Sequence, residues 1–435
     1  MKEKLFSKQL DEGIRLTVIP SEKFKTVTIS YCFHRDLDEN YTYQALIPAV
    51  LQRGCEGLED YKKIQKHLEE QYGALFDVGV QKKGERQVLT FSADVVNEAY
   101  TSDSESTVAQ MFHFFNRIIN KPLLENGEFK KDFVELEKEN LKNRILSLQN
   151  DKMQYSMERC IQEMCKDEKY SRYVFGRLED LESLDSKKLY DIYRDMVESS
   201  PLDIFVVGTV EPEKILKFVE KSLVMKRKKI KTIPGTLIKK VGIKEKAIEE
   251  VMDISQGKLN IGLRTNVKYS DEDYFPLVLY NSILGGGPHS KLFINVREKA
   301  SLAYYIFSLI DKFKGIMLIG AGIETEKYAQ TLEIIREQLL HMKEGRIHKE
   351  EYQAAMNGII NSIKSAQDQP FQLMDHYLGN SIYNLSLSLD DFIERLKKVQ
   401  IDDIVRVSQN IKVDTIYFLS DSRMEGKAHA RNNRT

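Results

Sequence analysis

No stretch of this 435-residue chain approaches the roughly 18 consecutive apolar residues that would cross a bilayer. Its opening, MKEKLFSKQLDEG, has no apolar core of signal-peptide length, so a cytoplasmic protein is expected. Cysteine is scarce. Cys32, Cys55, Cys160 and Cys165 form neither a C-x-x-C pair nor a disulfide-like framework, which points to reduced thiols. Net charge is nearly absent: 65 Lys and Arg against 66 Asp and Glu leave −1, so no global field draws the chain to nucleic acid or to an anionic membrane. Without a G-x-S-x-G or a cysteine in an electropositive motif, nucleophilic catalysis has no support. The eight histidines nowhere form H-x-x-E-H or H-E-x-x-H.

What is present is a soluble-protein composition, 42% hydrophobic and 30% charged, with room for about two to four domains. β-Branched and aromatic runs predict strands over 14–20, 25–33, 75–81, 87–95 and 202–208. Helical spacing covers 42–53, 60–72, 107–120, 129–165 (one helix or two in series) and 186–198, with another helix from Glu211-Pro212. Between 225 and 244 a basic run around Pro234-Gly235 loses periodicity. It has no interleaved aromatics, so it reads as a solvated linker and not as a nucleic-acid patch. The same order of elements then returns. Strands are expected over 257–264, 303–310, 315–323 and 414–420, and helices over 273–284, 326–343, 348–367 and much of 370–409. RQVLTFSADV before a helix matches GIMLIGAGI before a helix, and LDIFVVG matches VDTIYFLS. The chain is therefore expected to be α+β, two tandem homologous domains, each a mainly antiparallel sheet covered by helices. The boundaries expected are 1–225, a linker over 226–244, 245–421, and a disordered tail over 422–435.

The most informative stretch is Leu284–Phe307, LGGGPHSKLFINVREKASLAYYIF. Gly285, Gly286 and Gly287 after a helix make a tight reversal or an open docking surface. Arg297 offers a planar fork of donors, and Tyr304 a neutral hydroxyl at the start of a strand. Together they suit the main chain or carboxyl end of a peptide. The same residues also fit plainer roles: an arginine compensating a helix end, and a half-buried tyrosine. Cys160 and Cys165, at i and i+5 of a helix, read as packing thiols and not as ligands. His113, in MFHFF, reads as a core or boundary histidine.

With its Ser290, Leu292, Phe293, Arg297, Glu298, Lys299, Leu302, Ala303 and Tyr304, this stretch resembles the L-G-G-G…S-x-L-F-x-x-x-R-E-K-x-x-L-A-Y pattern of the insulinase/pitrilysin peptidases, the inverzincins. PSEKFKTVTIS, FVELEKENLKNRI and YSRYVFGRLEDLESL extend the resemblance over roughly residues 10–420. It implies the mitochondrial-processing-peptidase-like fold. It also implies that Arg297, Tyr304 and the glycines hold substrate from the domain opposite the metal. Active members bind zinc through H-x-x-E-H on a helix and a later Glu. Counting back from Gly54 puts that motif on Ala45, Leu46, Ile47, Pro48 and Ala49, and the later Glu near Glu137 or Glu139. Methyl groups cannot ligate zinc, so neither metal nor catalytic residue is expected in this chain. The resemblance is to the family's non-catalytic, YmfF-type branch. It implies a silent subunit of a heterodimeric zinc peptidase, with zinc in a YmfH-type insulinase-family partner, a peptide or small-protein substrate, and a homodimer when the partner is absent. The alternatives are a non-enzymatic peptide-binding or scaffold protein, and an independent hydrolase with an unrecognised site.

Overall fold

The computed structural model describes residues 5–11, 13–102, 106–238 and 242–421. Strands β1 (Phe6–Asp11), β2 (Ile14–Pro20) and β3 (Thr26–Asp36) precede helices α1 (Tyr41–Leu51) and α2 (Tyr61–Glu70). The hairpin β4 (Leu75–Lys83) and β5 (Arg86–Val96) leads into α3 (Thr107–Asn120). A short ladder, β6 (Leu124–Glu125) with β7 (Glu128–Phe129), is followed by α4 (Lys131–Ser147), α5 (Lys152–Met164), α6 (Leu178–Glu182) and α7 (Ser186–Ser199). Strand β8 (Leu202–Gly208) and α8 (Pro212–Ser222) come next, then β9 (Lys246–Met252), β10 (Gly257–Arg264) and α9 (Tyr274–Gly285). A π-helical segment, Phe293–Lys299, precedes the hairpin β11 (Ala303–Asp311) and β12 (Ile316–Ile323). Helices α10 (Tyr328–Lys343), α11 (Lys349–Ala366), α12 (Pro370–Tyr383), α13 (Leu389–Leu396) and α14 (Ile401–Asn410) lead to β13 (Lys412–Asp421).

Two sheets organise these elements. The first runs β1-β2-β8-β3-β5-β4 and the second β11-β12-β10-β13-β9. Setting β1 aside, β2-β8-β3-β5-β4 and β9-β13-β10-β12-β11 are one plan used twice. Each has a single parallel pair at the same place, β2 with β8 and β9 with β13. The duplicated α+β architecture expected from the sequence is thus found. The β4–β5 turn needs Gly84, whose φ of +64° is strained for residues with a side chain. In each unit the sheet and its covering helices enclose an apolar core. Phe33, Phe91, Phe112 and Phe115 lie in one, and Leu279, Ile283, Met317 and Ile319 in the other.

The two compact units are not contiguous blocks of sequence. The first falls within 1–146, 172–235 and 366–386, the second within 147–171, 236–365 and 387–435. Boundaries drawn at 225 and 245 therefore miss an exchange: α5 belongs with the second sheet, and α12 with the first. Packing shows why α5 is there. A Cβ on Gly262 of β10 would lie 2.6 Å from Met164 Sδ, so the helix rests where the strand has no side chain. The tail over 422–435 and residues 239–241 of the linker lie outside the described residues.

Candidate functional site

Helix α9 ends in the glycines, and the structure separates their roles. None has a left-handed φ. Gly285 is buried, and a Cβ there would sit 2.6 Å from the Ser308 backbone nitrogen on β11. It serves close packing and is not part of an open surface, which corrects its expected place among the substrate contacts. Gly286 is exposed, yet a Cβ there would sit 2.6 Å from the Ser282 Cα, whereas half-buried Gly287 would meet only the His289 ring, at 3.3 Å.

Beyond them the chain forms the π-helical turn, a wide geometry that often marks functional positions. Leu292 and Val296 bury its inner side. Arg297 projects outward with 42% of its side chain exposed, its guanidinium 4.6 Å from the Phe293 ring centroid and 3.9 Å from Glu298 Oε1. Ser301 then takes a left-handed φ of +53°, and the Leu302 N–H donates to the Val296 carbonyl at 3.0 Å, which closes the turn. Strand β11 opens on an irregularity: Ala303 pairs with Ile323 and Tyr305 with Gly322, leaving Tyr304 as the extra residue of a bulge. A bulge re-aims the side chain that it inserts. Tyr304 is accordingly 61% exposed instead of half-buried. Strand β11 is also the edge of its sheet, with no charged side chain before Asp311. The other edges carry Lys8 and Asp11, Asp77, Lys82 and Lys83, or Lys246, Glu249 and Glu250.

Helix α1 holds Ala45, Pro48 and Ala49. It carries no His, Cys, Asp or Glu from end to end, and its side chains are buried except for the half-buried Ala49. Glu137 is buried and committed elsewhere: Arg53 Nε donates to its Oε1, and Asn140 Nδ2 donates to Oε2 at 3.2 Å. Glu139 is exposed, 3.6 Å from the Lys142 ammonium. Among the described residues, no group of three or more His, Cys, Asp or Glu could hold a metal ion. A zinc ion needs such donors, and these residues do not fit one. All four thiols are buried. Burial pushes Cys32 up to about 12 and Cys55 up to about 11, away from thiolate chemistry. His113 corrects another expectation: it is exposed, while Met111, Phe112, Phe114 and Phe115 turn into the core. No described helix is long and apolar enough to cross a membrane.

Two repeated α+β units on one plan place the chain among peptidase-like folds. This chain belongs to the M16 (insulinase/pitrilysin) peptidase family. The family model described as "Peptidase M16 inactive domain" matches residues 183–359. The chain is 35% identical over 409 residues to YmfF of Bacillus subtilis (strain 168), described as a probable inactive metalloprotease, covering 94% of this chain and 96% of that one. A conserved protein of Enterococcus faecalis V583 has the same fold, with TM-score 0.86 and 31% identity over 96% of this chain and 99% of that one. A Helicobacter pylori protease matches in fold at TM-score 0.82, with 16% identity and coverage of 96% and 99%.

Proposed function

We propose that this chain is the catalytically silent subunit of a two-chain M16 peptidase, and that it holds an extended peptide for a zinc-bearing M16 partner of the YmfH type. The carrying observation is the turn at 297–304. A guanidinium steadied by the Phe293 ring and a bulge-projected phenol flank an uncharged sheet edge, and both stay largely open to solvent. Unpaired edge amides and carbonyls accept an added strand. Arg297 can grip peptide carbonyls or a terminal carboxylate, Tyr304 adds a hydroxyl, and Gly287, with only the His289 ring beside it, keeps the approach open. Read against the family spacing, Ala45, Pro48 and Ala49 stand where ligands and base would be, so bond cleavage falls to the partner's metal.

The test is reconstitution with a zinc-bearing M16 chain. Arg297→Ala is expected to lower kcat/KM by roughly 10- to 100-fold, in line with loss of a charge-assisted hydrogen bond, and Tyr304→Phe by less. Unchanged kinetics in both would return these residues to packing and surface roles. Stoichiometric zinc together with turnover by the lone chain would end the silent-subunit reading.

A further inference from the structure

The repeated plan allows equivalent positions to be matched through strand register. In the second unit Arg264 ends β10, opposite Ile316 of β12 and Lys412 of β13. Its Nε donates to Asp414 Oδ2 at 3.0 Å, and its terminal nitrogens donate to the Glu168 carboxylate at 2.7 and 3.1 Å. Lys314, two residues before Ile316, meets the same carboxylate at 2.7 Å. One carboxylate is thus clasped by two buried cations, with Asp414 behind.

In the first unit His34 takes the place of Arg264. It pairs with Val88 of β5, and its N–H donates at 2.9 Å to Pro201, just before β8. Its ring lies on Asp203 as Arg264 lies on Asp414: Nε2 is 2.9 Å from Asp203 Oδ2. Arg86, two residues before Val88, donates from its terminal nitrogen to His34 Nδ1 at 3.2 Å, which puts the ring proton on Nε2. Arg15 adds a second cation, 4.0 Å from Asp203 and donating to Ser381 Oγ at 3.3 Å. The counterpart of Glu168 is missing. Residues 366–386, which stand to this sheet as 147–171 stand to the other, bring Ser381, Ile382 and Asn384 to the place but no carboxylate. What remains is a cavity of about 200 Å³, lined by these residues together with Arg15, His34, Arg86 and Asp203. Among the described residues no carboxylate is hydrogen-bonded to Arg86, although Asp203, Tyr383 and Asp36 act on it through space.

We propose that this cavity binds a carboxylate-bearing ligand, its carboxylate clasped by Arg86 and Arg15 as Glu168 is clasped by Arg264 and Lys314. A small organic acid and the free carboxyl end of a peptide share that chemistry, and the space suits a few heavy atoms and not a folded partner. The site is built from the first unit alone, and ligand binding there does not depend on the peptide-holding turn.

Acetate is the probe, titrated into the full chain against chloride at equal ionic strength and followed by thermal shift and calorimetry. A saturable rise in Tm is expected, with Kd about tenfold weaker or worse in Arg86→Gln and in Arg15→Gln, as for loss of a charged hydrogen bond. Ile382→Glu, which supplies an internal carboxylate at the cavity, is expected to raise Tm and abolish the acetate response. A tripeptide that competes when its carboxyl is free but not when it is amidated identifies a chain end as the ligand, whereas acetate binding without tripeptide competition identifies a small acid. No saturable response beyond chloride, an equal response to phosphate, or an undiminished response in an Arg86→Gln protein with a native circular-dichroism spectrum overturns the proposal.

Discussion

Helices α5 and α12 lie against the two sheets in matching fashion, yet they are fastened by different means. Around α5 the ties are multidentate, half-buried at Glu250 and fully buried at Glu168. Glu250 accepts from Tyr155 and Tyr417 at 2.6 Å each and from Arg159 at 3.2 Å, while Glu168, just beyond the helix, takes both Arg264 and Lys314. Burial opposes the charge on Arg264, but hydrogen bonds to Glu168 and Asp414 hold its guanidinium above the ordinary range. Around α12 the ties are looser. Lys23 meets Asp368 at 2.6 Å with both side chains more than half exposed, Lys83 pairs with Asp375, and Ser381 donates to Asp203 beside a cavity. The difference shows two ways of seating a helix that arrives from the far half of the sequence. A desolvated ion cluster tolerates only one arrangement, because a buried charge without its partner is costly. Solvated pairs set position with little penalty for change.

The largest test of that contrast is Glu168→Ala, which leaves Arg264 and Lys314 buried without their shared carboxylate. A loss of about 3–5 kcal/mol is expected from urea unfolding, and a loss below about 1 would erase the distinction between the two helices. Asp203→Asn should cost less, about 1–3 kcal/mol, because Arg15 and the cavity keep some solvent. Its effect also depends on pH. Burial alone would raise the Asp203 carboxyl, but His34, Ser381 and Arg15 outweigh it and hold the group below its usual range. A carboxylate depressed in the folded state stabilises above its unfolded value, near 3.9, and that contribution disappears as pH falls through the folded one. The gap between wild type and Asp203→Asn is therefore expected to be level from about pH 7 to 5 and to shrink below about pH 4. Smallest of all, Lys23→Ala should shift stability by less than about 0.5 kcal/mol, and less still at high salt. A larger loss would show that the exposed tie carries weight that its solvation denies it.

Much of this architecture can be read from residue order. Central strands such as β3 and β8 declare themselves through unbroken apolar, β-branched runs, and α3 is expected at the residues where it is found. The edge strands β1 and β9 escape notice because FSKQLD and KAIEEVM put charged side chains into solvent and have few apolar residues to betray them. The exchange of α5 and α12 is invisible for another reason. Helical periodicity says that a face will be covered but not which sheet will cover it, and Met164 meets Gly262 across about a hundred residues of chain. Arg297 and Tyr304 could be picked out by their motif, whereas the bulge that turns Tyr304 outward depends on its register with Ile323 and Gly322. The cluster of Arg15, His34, Arg86 and Asp203 carries no local signature at all, since its members come from four different strands.

The uncharged border formed by Ala303 to Ile310 has a cost in handling. Other borders in the molecule carry lysines and acids that discourage adhesion between copies, a safeguard proteins commonly place on exposed strands. Here that safeguard is missing, so a chain purified without a companion is expected to grow stickier as it is concentrated, and an occupant laid along β11 should keep it dispersed.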